Sequence, residues 1–554
     1  MPTPGERLRE TLGLDLRSLA LLRILLGVLL LVDLGIRAVD LSDHYTDAGI
    51  LPREFFEPRF FRHHPARFSF HMMSGDLPLA VGLFVVAAAC AVALSLGFFT
   101  RAALAGSLIL CISLQNRNNE IETGGDYLLR LVCFWCLFLP LGARFSLDRR
   151  AGRVMANAAG ALPNRHFSVA TVGLLVQMMS VYFFSALHKT HPIWRKEFTA
   201  LHYALHIDAY DTKMGGWLRD FPWLTGLLTR ATLVFEFAAP WFLVGAGLLS
   251  LLPLAKTLYG EQNGARTATV FAFMGFHIGL GTCIALGTFP WFAALIWLGF
   301  LPTSTWDQLA RRLKKRAKQS SPSSKDETTK WGAMWTARGA QLLLRFLGLL
   351  KNAEAPLRDH PQGRGAWRRK VGTWAWQGAA GLCLAMVVMI NVATVEPSYR
   401  RYLNGSAALP TPDLSGWIDR LRLDQHWGLF APYPRTSDGY YVIVANLADG
   451  AQIDLLSPNH ELTWQKPDDV SGSYKTFRWR KYFRNLRRRS RRAYRRPYAN
   501  YACRNYNRLA GATHEATSIE IYFMRRVTRQ QGGHQPARKE RLWRQSCPKT
   551  SAQL

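Results

Sequence analysis

Long apolar segments constrain the fold of this chain more strongly than any other feature. Residues 77–99 contain no charged side chain over 23 consecutive positions. Because a helix needs about 20 apolar residues to cross a bilayer, this segment predicts a transmembrane helix. Other apolar segments follow at 18–36, 102–114, 127–142, 167–187, 222–254, 267–288, 290–302 and 371–395. Two of these are short, so the sequence predicts an all-α polytopic membrane bundle of about eight or nine transmembrane helices.

The polar segments divide the chain into four predicted regions. Residues 1–302 form the transmembrane domain, and residues 303–370 form a basic cytoplasmic loop or linker that includes a cationic run at 311–316. Residues 371–395 form the final transmembrane helix. Residues 396–554 contain no apolar segment of spanning length and are expected to form a small basic α+β domain.

Local patterns predict the elements of this C-terminal region. Residues 440–447 and 451–456 are apolar runs on either side of Asp449-Gly450, a pair that favours a tight hairpin turn. Residues 517–523 alternate apolar and polar positions and predict a third strand. Residues 479–496 predict an arginine-rich helix that ends before Pro497.

The positive charge of the chain is unevenly distributed. The net charge is +31, and residues 396–554 hold 28 Lys and Arg against 13 Asp and Glu. Counting Lys and Arg in alternate loops places the N-terminus in the cytoplasm, with most of the excess in the 303–370 loop. A nine-span bundle then places the C-terminal domain outside the cytoplasm. The first apolar segment is expected to remain in the protein, because no signal-peptide cleavage pattern follows it.

The cysteines do not form a disulfide framework. Six of the eight lie in apolar segments, where packing is the simplest role. Cys503 and Cys547 are the two in the C-terminal region. They could pair if that region is extracytoplasmic, or remain as free thiols, and the sequence leaves both alternatives open.

Charged residues inside apolar segments are candidates for function, because each is costly to insert into a membrane. Glu236 lies between Phe235 and Phe237, and it is expected either to be neutral or to pair with a cation from another helix. His277 lies similarly in its own segment. Asp126 and Arg130, four residues apart, are expected to pair with each other.

Residues 182–194 form the segment most typical of a site. Lys189 lies at the end of a predicted span, with His188, His191 and Trp194 close by. A lysine at this position either extends to the interface or is partly desolvated, and in the second case it can serve as a base. The pair His202 and His206 has the spacing of two metal ligands on a helix, but no third ligand is evident, so no metal site is predicted.

Several motifs, in consistent order, resemble the horizontally transferred transmembrane (HTTM) family, which is related to vitamin K-dependent γ-glutamyl carboxylase. They are HYTDAGILP at 44–52, GFFTR at 97–101, SLQNRN at 113–118, FLPLGAR at 138–144 and SLD at 146–148. The stretch QHWGLFAPYP at 425–434 resembles an extension found in bacterial HTTM proteins. The resemblance covers roughly residues 15–302 and implies a membrane-embedded protein, expected in a bacterial inner membrane.

The relation to the carboxylase implies a specific chemistry. That enzyme uses a reduced naphthoquinone, O2 and CO2 to carboxylate glutamate in a peptide, and it starts with a lysine base. Lys189, followed five residues later by Trp194, is similar to the carboxylase lysine in its context, and His277 is similar to a histidine two spans further on. The resemblance therefore implies Lys189 and His277 as site residues. Glu236, singled out by its charge within an apolar segment, joins them in the predicted site, and an acidic or Glu-containing peptide is the expected substrate. Just before the fourth span, where the carboxylase has a histidine, this chain has Gly124-Gly125-Asp126.

Two further interpretations follow from the sequence. One is a non-catalytic membrane factor for the maturation, export or immunity of a secreted peptide. The other is nucleic-acid binding through residues 478–496, which contain eleven Lys and Arg interleaved with aromatic residues. A solvated or lipid-facing basic helix is the more common explanation of such a segment, so a nucleic-acid partner is not expected.

Overall fold

The computed structural model describes residues 6, 9, 11–154, 164–242, 245, 258–318, 364–396, 414–510, 514–530 and 532–548. Most of the predicted linker at 303–370 lies outside these residues. Among the described residues up to 318, the helices of eight or more residues are α1 (Leu16–Ala38), α2 (Arg53–His63), α3 (Leu77–Leu96), α4 (Thr100–Arg117), α5 (Gly124–Cys136), α6 (Val169–His188), α7 (Pro222–Phe242), α8 (Leu258–Cys283), α9 (Phe289–Ile296) and α10 (Thr303–Lys318).

Among the described residues, four helices are long and apolar enough to cross a membrane. They are α1, α3, α6 and the segment Lys370–Val395 of a later helix, α11 (Arg364–Val395). The expected eight or nine spans are therefore not confirmed. Other predicted spans are too short or too polar to cross a membrane on their own. Helix α5 has 13 residues, α9 has 8, and α4 ends in the polar sequence Gln115-Asn116-Arg117. Helices of this kind need the rest of the bundle to cover their polar groups.

The family-like motifs meet in pairs at opposite ends of the bundle. At one end, Gly97 ends α3 with φ 68°, a left-handed conformation that favours glycine. Asp148 then accepts hydrogen bonds from the backbone of Phe99 and Thr100 at 3.0 and 2.8 Å. The carboxylate of the SLD motif therefore fixes the turn made by the GFFTR motif.

At the other end, the SLQNRN motif holds the HYTDAGILP loop. Arg117 is fully buried and donates hydrogen bonds to the backbone oxygens of Leu51 and Thr46 at 2.9 and 3.1 Å. Asn118 donates to the backbone oxygen of His44 at 3.1 Å. A buried loop must satisfy its backbone carbonyls, and here α4 supplies the donors.

The bundle consequently has two distinct ends. At the first, named here the N-terminal face, strand β1 (Leu14–Asp15) pairs antiparallel with β2 (Arg165–His166), and Arg17 forms an ion pair with Asp307 of α10 at 2.8 Å. At the second, named the domain face, the loops at 39–76, 118–123, 189–221 and 284–288 lie near the C-terminal region. Asn485 of that region, for example, donates to the backbone oxygen of Glu120 at 2.7 Å.

The C-terminal region contains a four-stranded antiparallel sheet and three helices. The elements are α12 (Leu414–Leu421), β3 (Ser437–Leu447), β4 (Gln452–Asp454), α13 (Phe477–Leu486), α14 (Arg495–Asn507), β5 (Ala516–Val527) and β6 (Arg538–Ser546), with the strands in the order β4-β3-β5-β6. The predicted hairpin and third strand are confirmed as β3–β4 and β5. Strand β6 was not predicted, because its alternation is masked by charged residues on an exposed edge.

The predicted continuous helix over 479–496 is wrong. Helix α13 ends at Leu486, a 3-10 helix spans Arg489–Tyr494, and α14 begins at Arg495. Pro497 lies in the first turn of α14, a position where the missing N–H has no helical partner to lose. A disulfide bond joins Cys503 of α14 to Cys547, just after β6, which settles the alternative that the sequence left open.

Ion pairs join the C-terminal region to the bundle, and they correct the predicted pairing of Asp126 with Arg130. Asp126 instead contacts Arg37 of α1 and Arg478 of α13, and Arg478 also contacts Asp33. Arg130 donates to Gln115 and to the backbone oxygen of Arg422. Both partners of the predicted pair are thus used for long-range contacts, which a spacing rule for a single helix does not capture.

Candidate functional site

A cavity of about 400 Å³ lies where the domain face meets the C-terminal region. Its walls come from α6, α7, α8, α13 and the segment at 428–435, which includes part of the QHWGLFAPYP motif. The three sequence-predicted site residues, Lys189, Glu236 and His277, all line this cavity. The structure thus brings together groups that are separated by 47 and 41 positions in the sequence.

Lys189 and Glu236 form a buried ion pair. The Lys189 ammonium donates to Glu236 Oε2 and, at 2.6 Å, to Ser185 Oγ. The two residues are 1 % and 5 % exposed. Of the alternatives left by the sequence, extension of Lys189 to the interface is therefore wrong, and pairing of Glu236 with a cation from another helix is correct.

Lys189 is held in position through both its backbone and its side chain. Lys189 follows the last residue of α6, where its carbonyl accepts a hydrogen bond from Arg195 Nε at 2.8 Å. Trp194 places its ring 4.9 Å from the Lys189 ammonium, within the range of a cation–π contact. The Trp194 indole N–H donates to the backbone oxygen of Phe430 at 3.0 Å, so the QHWGLFAPYP motif fixes the ring that covers the lysine.

His277 is positioned by a chain of buried hydrogen bonds. The Trp297 indole N–H donates to Tyr182 Oη at 2.7 Å, and Tyr182 Oη lies 2.6 Å from His277 Nε2. An indole N–H can only donate, so the tyrosine O–H finds its own acceptor in His277 Nε2, which assigns the proton of the neutral imidazole to Nδ1. His277 Nδ1 has no hydrogen-bond partner among the described residues, and its side chain lines the cavity. It is a donor available to a bound molecule.

Sequence reasoning missed the groups that support the predicted residues. Tyr182, Ser185 and Lys189 follow one another at i, i+3 and i+7, so they share one face of α6. That spacing is a signal that could have identified them. His277 and the Lys189–Glu236 pair make no hydrogen bond to each other among the described residues.

The glycines that replace the carboxylase histidine have a local explanation. Gly124 and Gly125 begin α5, and Gly124 lines the cavity. A Cβ atom on Gly125 would lie 2.7 Å from Thr288 Oγ1 and 3.1 Å from the backbone nitrogen of Phe289. The close approach of α5 to α9 therefore excludes a larger side chain at 125 unless the helices move apart.

The rings of His202 and His206 are in contact, with their centroids 4.3 Å apart and their planes tilted by 43°. His206 Nδ1 lies 2.8 Å from the backbone oxygen of His202, so this ring nitrogen already has a hydrogen-bond partner. In the part of the chain that the structure describes, no group of three or more His, Cys, Asp and Glu side chains is arranged to hold a metal ion.

The far end of the cavity is strongly basic. Six cationic side chains line it: Arg435, Arg480, Lys481, Arg484, Arg487 and Arg488. We call this set the basic end. The rest of the lining is largely aromatic and aliphatic and includes Phe276, Leu280, Ile284 and Phe289. The sequence singled out five of these cations, all except Arg435, as part of a basic helix but gave no indication that they face a cavity.

The fold and the cavity define a class: a largely helical membrane protein whose polar C-terminal region closes a cavity at one end of the bundle. The chain belongs to the HTTM domain family, whose model matches residues 13–306, more than half of the chain. The resemblance drawn from the sequence motifs is thereby confirmed. No curated protein and no solved structure matches the chain.

Proposed function

We propose that the chain is a membrane enzyme similar to vitamin K-dependent carboxylase, which modifies a peptide or protein with a reduced naphthoquinone, O2 and CO2. The observation that carries the proposal is the Lys189–Glu236 pair, buried between membrane helices yet facing a cavity. A lipid-soluble ring compound can reach such a position from the bilayer. The catalytic residues in this proposal are Lys189 as base, with Glu236 and His277 in the same site.

The walls of the cavity fit a hydroquinone. Phe276 and Phe289 provide aromatic surface, and His277 Nδ1 provides an unused hydrogen-bond donor. When bound, a reduced naphthoquinone supplies the reducing equivalents that react with O2 and so drive proton removal from the substrate. His277 would orient the ring, while Trp194 covers the lysine and keeps water away from it.

Glu236 gives Lys189 a way to act as a base. A protonated lysine cannot accept a proton, but transfer of its proton to Glu236 Oε2 produces a neutral amine beside a neutral acid. The net charge of the pair does not change in this transfer. Burial destabilises separated charges, so it reduces the free-energy difference between the ionic and neutral forms of the pair.

The proposed orientation has the N-terminus in the cytoplasm of a bacterium and the C-terminal domain outside its inner membrane. Two observations support it. The loops assigned to the outside by the count of charges are the ones that contact the C-terminal domain, whereas the basic helix α10 lies at the N-terminal face. The disulfide between Cys503 and Cys547 is typical of an oxidising compartment. An acidic or Glu-containing peptide would then approach the domain from outside, attracted by its positive charge.

The test is an epoxidase assay on reconstituted protein with reduced naphthoquinone, O2 and bicarbonate. We expect epoxide formation in the wild type and its loss in Lys189→Ala. Lys196→Ala, an exposed lysine in the following loop, is the matched control. Epoxide formation that is unchanged in Lys189→Ala would contradict the role of this lysine. If the wild type forms none and the cellular phenotype persists in a Lys189→Ala, His277→Ala variant, the chain is a non-catalytic membrane factor instead.

A further inference from the structure

The basic end of the cavity is a cluster of six cations, of which Arg480 is buried, Arg488 is exposed and the other four are half-buried. Arg37, Arg478 and Arg422 each have a carboxylate partner within 3.1 Å. The six cations of the basic end have no carboxylate within 4 Å among the described residues. Removing even part of such a cationic cluster from water is costly, so proteins that do so usually supply an opposite charge.

The basic end is formed by residues of α13, by the two residues that follow this helix, and by Arg435, which lies just before β3. Arg480, Lys481 and Arg484 lie on α13, and Arg487 and Arg488 follow at the next turn, so their spacing directs them to one side. Arg480 is held in place by the backbone oxygens of Ala209 and Ala285. These contacts with neutral carbonyls fix the side chain but leave its positive charge uncompensated.

Two of the side chains retain hydrogen-bonding capacity. Arg484 donates from Nη1 to Tyr210 Oη at 2.6 Å, but its buried Nε has no partner in the described chain. Lys481 makes no hydrogen bond or ion pair among the described residues. Burial and the nearby Arg484 and Arg488 lower the pKa of Lys481 to about 7, although the more distant Glu122 and Asp126 oppose this effect.

The carboxylates that line the cavity do not compensate this charge. Glu236 is bound by Lys189. Asp438 accepts a hydrogen bond from the backbone N–H of Ala209, and burial together with the neighbouring Asp208 raises its pKa to about 6. The basic end therefore has a large excess of positive charge in a confined space, which attracts an anion.

We propose that the basic end binds a phosphate-type group, either free phosphate or the phosphate of an amphiphile. Phosphate carries up to two negative charges, and its oxygens match the fork of the arginine guanidinium. A single carboxylate carries one charge, so it compensates half as much of this positive charge as a phosphate dianion does. This inference is independent of proton transfer at Lys189, so it stands or falls separately from the proposed enzymatic function.

The test measures the reactivity of Lys481 in the wild-type protein, purified in a neutral detergent. With a pKa of about 7, Lys481 should be acetylated faster than the more exposed Lys475 at neutral pH. Inorganic pyrophosphate should slow the acetylation of Lys481 several-fold, because a bound anion stabilises the ammonium form. Sodium chloride at the same ionic strength should have little effect, and Lys475 should not respond to pyrophosphate.

Variants then identify the residues that bind. Arg484→Gln and Arg488→Gln should each weaken pyrophosphate binding about 10-fold, as expected for loss of a charge-assisted hydrogen bond. Arg489→Gln, an exposed neighbour outside the cavity, should leave binding unchanged. Tighter binding of dodecyl phosphate than of pyrophosphate supports the amphiphile, and equal or weaker binding supports free phosphate.

Three results would overturn the proposal. The first is acetylation of Lys481 that neither pyrophosphate nor dodecyl phosphate slows. The second is equal weakening by Arg489→Gln, which would indicate general screening of the surface charge. The third is protection of Lys481 by a Glu-rich peptide but not by pyrophosphate, which would assign the basic end to carboxylates.

Discussion

The side chains of Lys189 and Glu236 are in contact in the protein interior, where neither could remain charged without the other. Each is surrounded by apolar helices, and removing one leaves an uncompensated charge in the interior. The sequence identified both residues because charges in apolar segments are conspicuous, and it left open whether Glu236 finds a cation. It did not identify Lys189 as that cation, because the partners come from different helices and no local spacing connects them.

Single and double substitutions of this pair should therefore differ in a characteristic way. Lys189→Met or Glu236→Met alone should lower the free energy of unfolding by about 3–5 kcal/mol, because a buried charge is left unpaired. The double variant should recover most of that loss, since two apolar side chains replace the pair. Denaturant unfolding in detergent measures both effects, with Lys196→Met as the control. A double variant as unstable as the sum of the two single ones would contradict the ion pair.

Asp438 gives a prediction for pH dependence. Burial and the neighbouring Asp208 raise the pKa of Asp438 from 3.8 to about 6, although Arg435 opposes the shift. The folded state therefore binds this proton more tightly than the unfolded state. The stabilisation is fully present below about pH 4 and is lost as the pH rises to about 6.

Replacing Asp438 with Asn removes the titrating group but keeps an acceptor for the Ala209 N–H. Relative to the wild type, Asp438→Asn should thus be more stable at about pH 7.5 than at about pH 4.5, by about 2–3 kcal/mol. Unfolding curves at the two pH values measure the difference. The exposed Asp449→Asn serves as the control and should show no such change. An identical shift in both variants would show that the effect does not arise at Asp438.

At the scale of elements, α13 connects the C-terminal region to the bundle. Arg478 reaches from this helix to Asp33 of α1 and Asp126 of α5, both of which are also bound by Arg37. The four side chains are almost completely buried. These side chains fix the relative positions of α1, α5 and α13, which are far apart in the sequence.

Substitution of Arg478 should consequently loosen the C-terminal region from the bundle. Arg478→Met leaves Asp33 and Asp126 with only Arg37, and we expect a loss of about 3–5 kcal/mol in the free energy of unfolding. Limited proteolysis should cleave the variant between the bundle and the domain earlier than the wild type. Arg489→Met removes an exposed arginine and should change neither result. Unchanged proteolysis of Arg478→Met would mean that other contacts hold α13.

The elements that the sequence predicts well are those specified by local chemistry. The β3–β4 hairpin follows from Asp449-Gly450 between apolar runs, and β5 follows from its alternation. The break between α13 and α14 was missed, because Arg478 contacts the carboxylate of Asp33 and Arg495 contacts the backbone oxygen of Leu542, both far away in the sequence. Long-range contacts decide where this arginine-rich segment bends, and helical propensity alone does not report them.

At the scale of the whole molecule, the sequence predicted which loops lie together at each end of the bundle. Alternation of apolar segments assigned the loops at 37–76 and 189–219 to one side and the segments at 1–17 and 303–370 to the other. The described parts of these loops do meet at the domain face and at the N-terminal face, respectively. The number of spanning helices could not be derived in the same way, because short apolar segments such as α9 occur equally well inside a protein core.

The orientation in the membrane can be measured at one position on each face. Arg489 is exposed in the C-terminal domain, and Lys315 is exposed on α10 at the N-terminal face. A membrane-impermeant maleimide should label Arg489→Cys in sealed spheroplasts, because the disulfide and the charge distribution both favour an extracytoplasmic domain. Lys315→Cys should be labelled only after the membrane is permeabilised, and the wild type, whose free cysteines lie in apolar helices, gives the background. The opposite pattern would place the basic C-terminal domain in the cytoplasm, where a nucleic-acid partner becomes accessible and an extracellular peptide substrate does not.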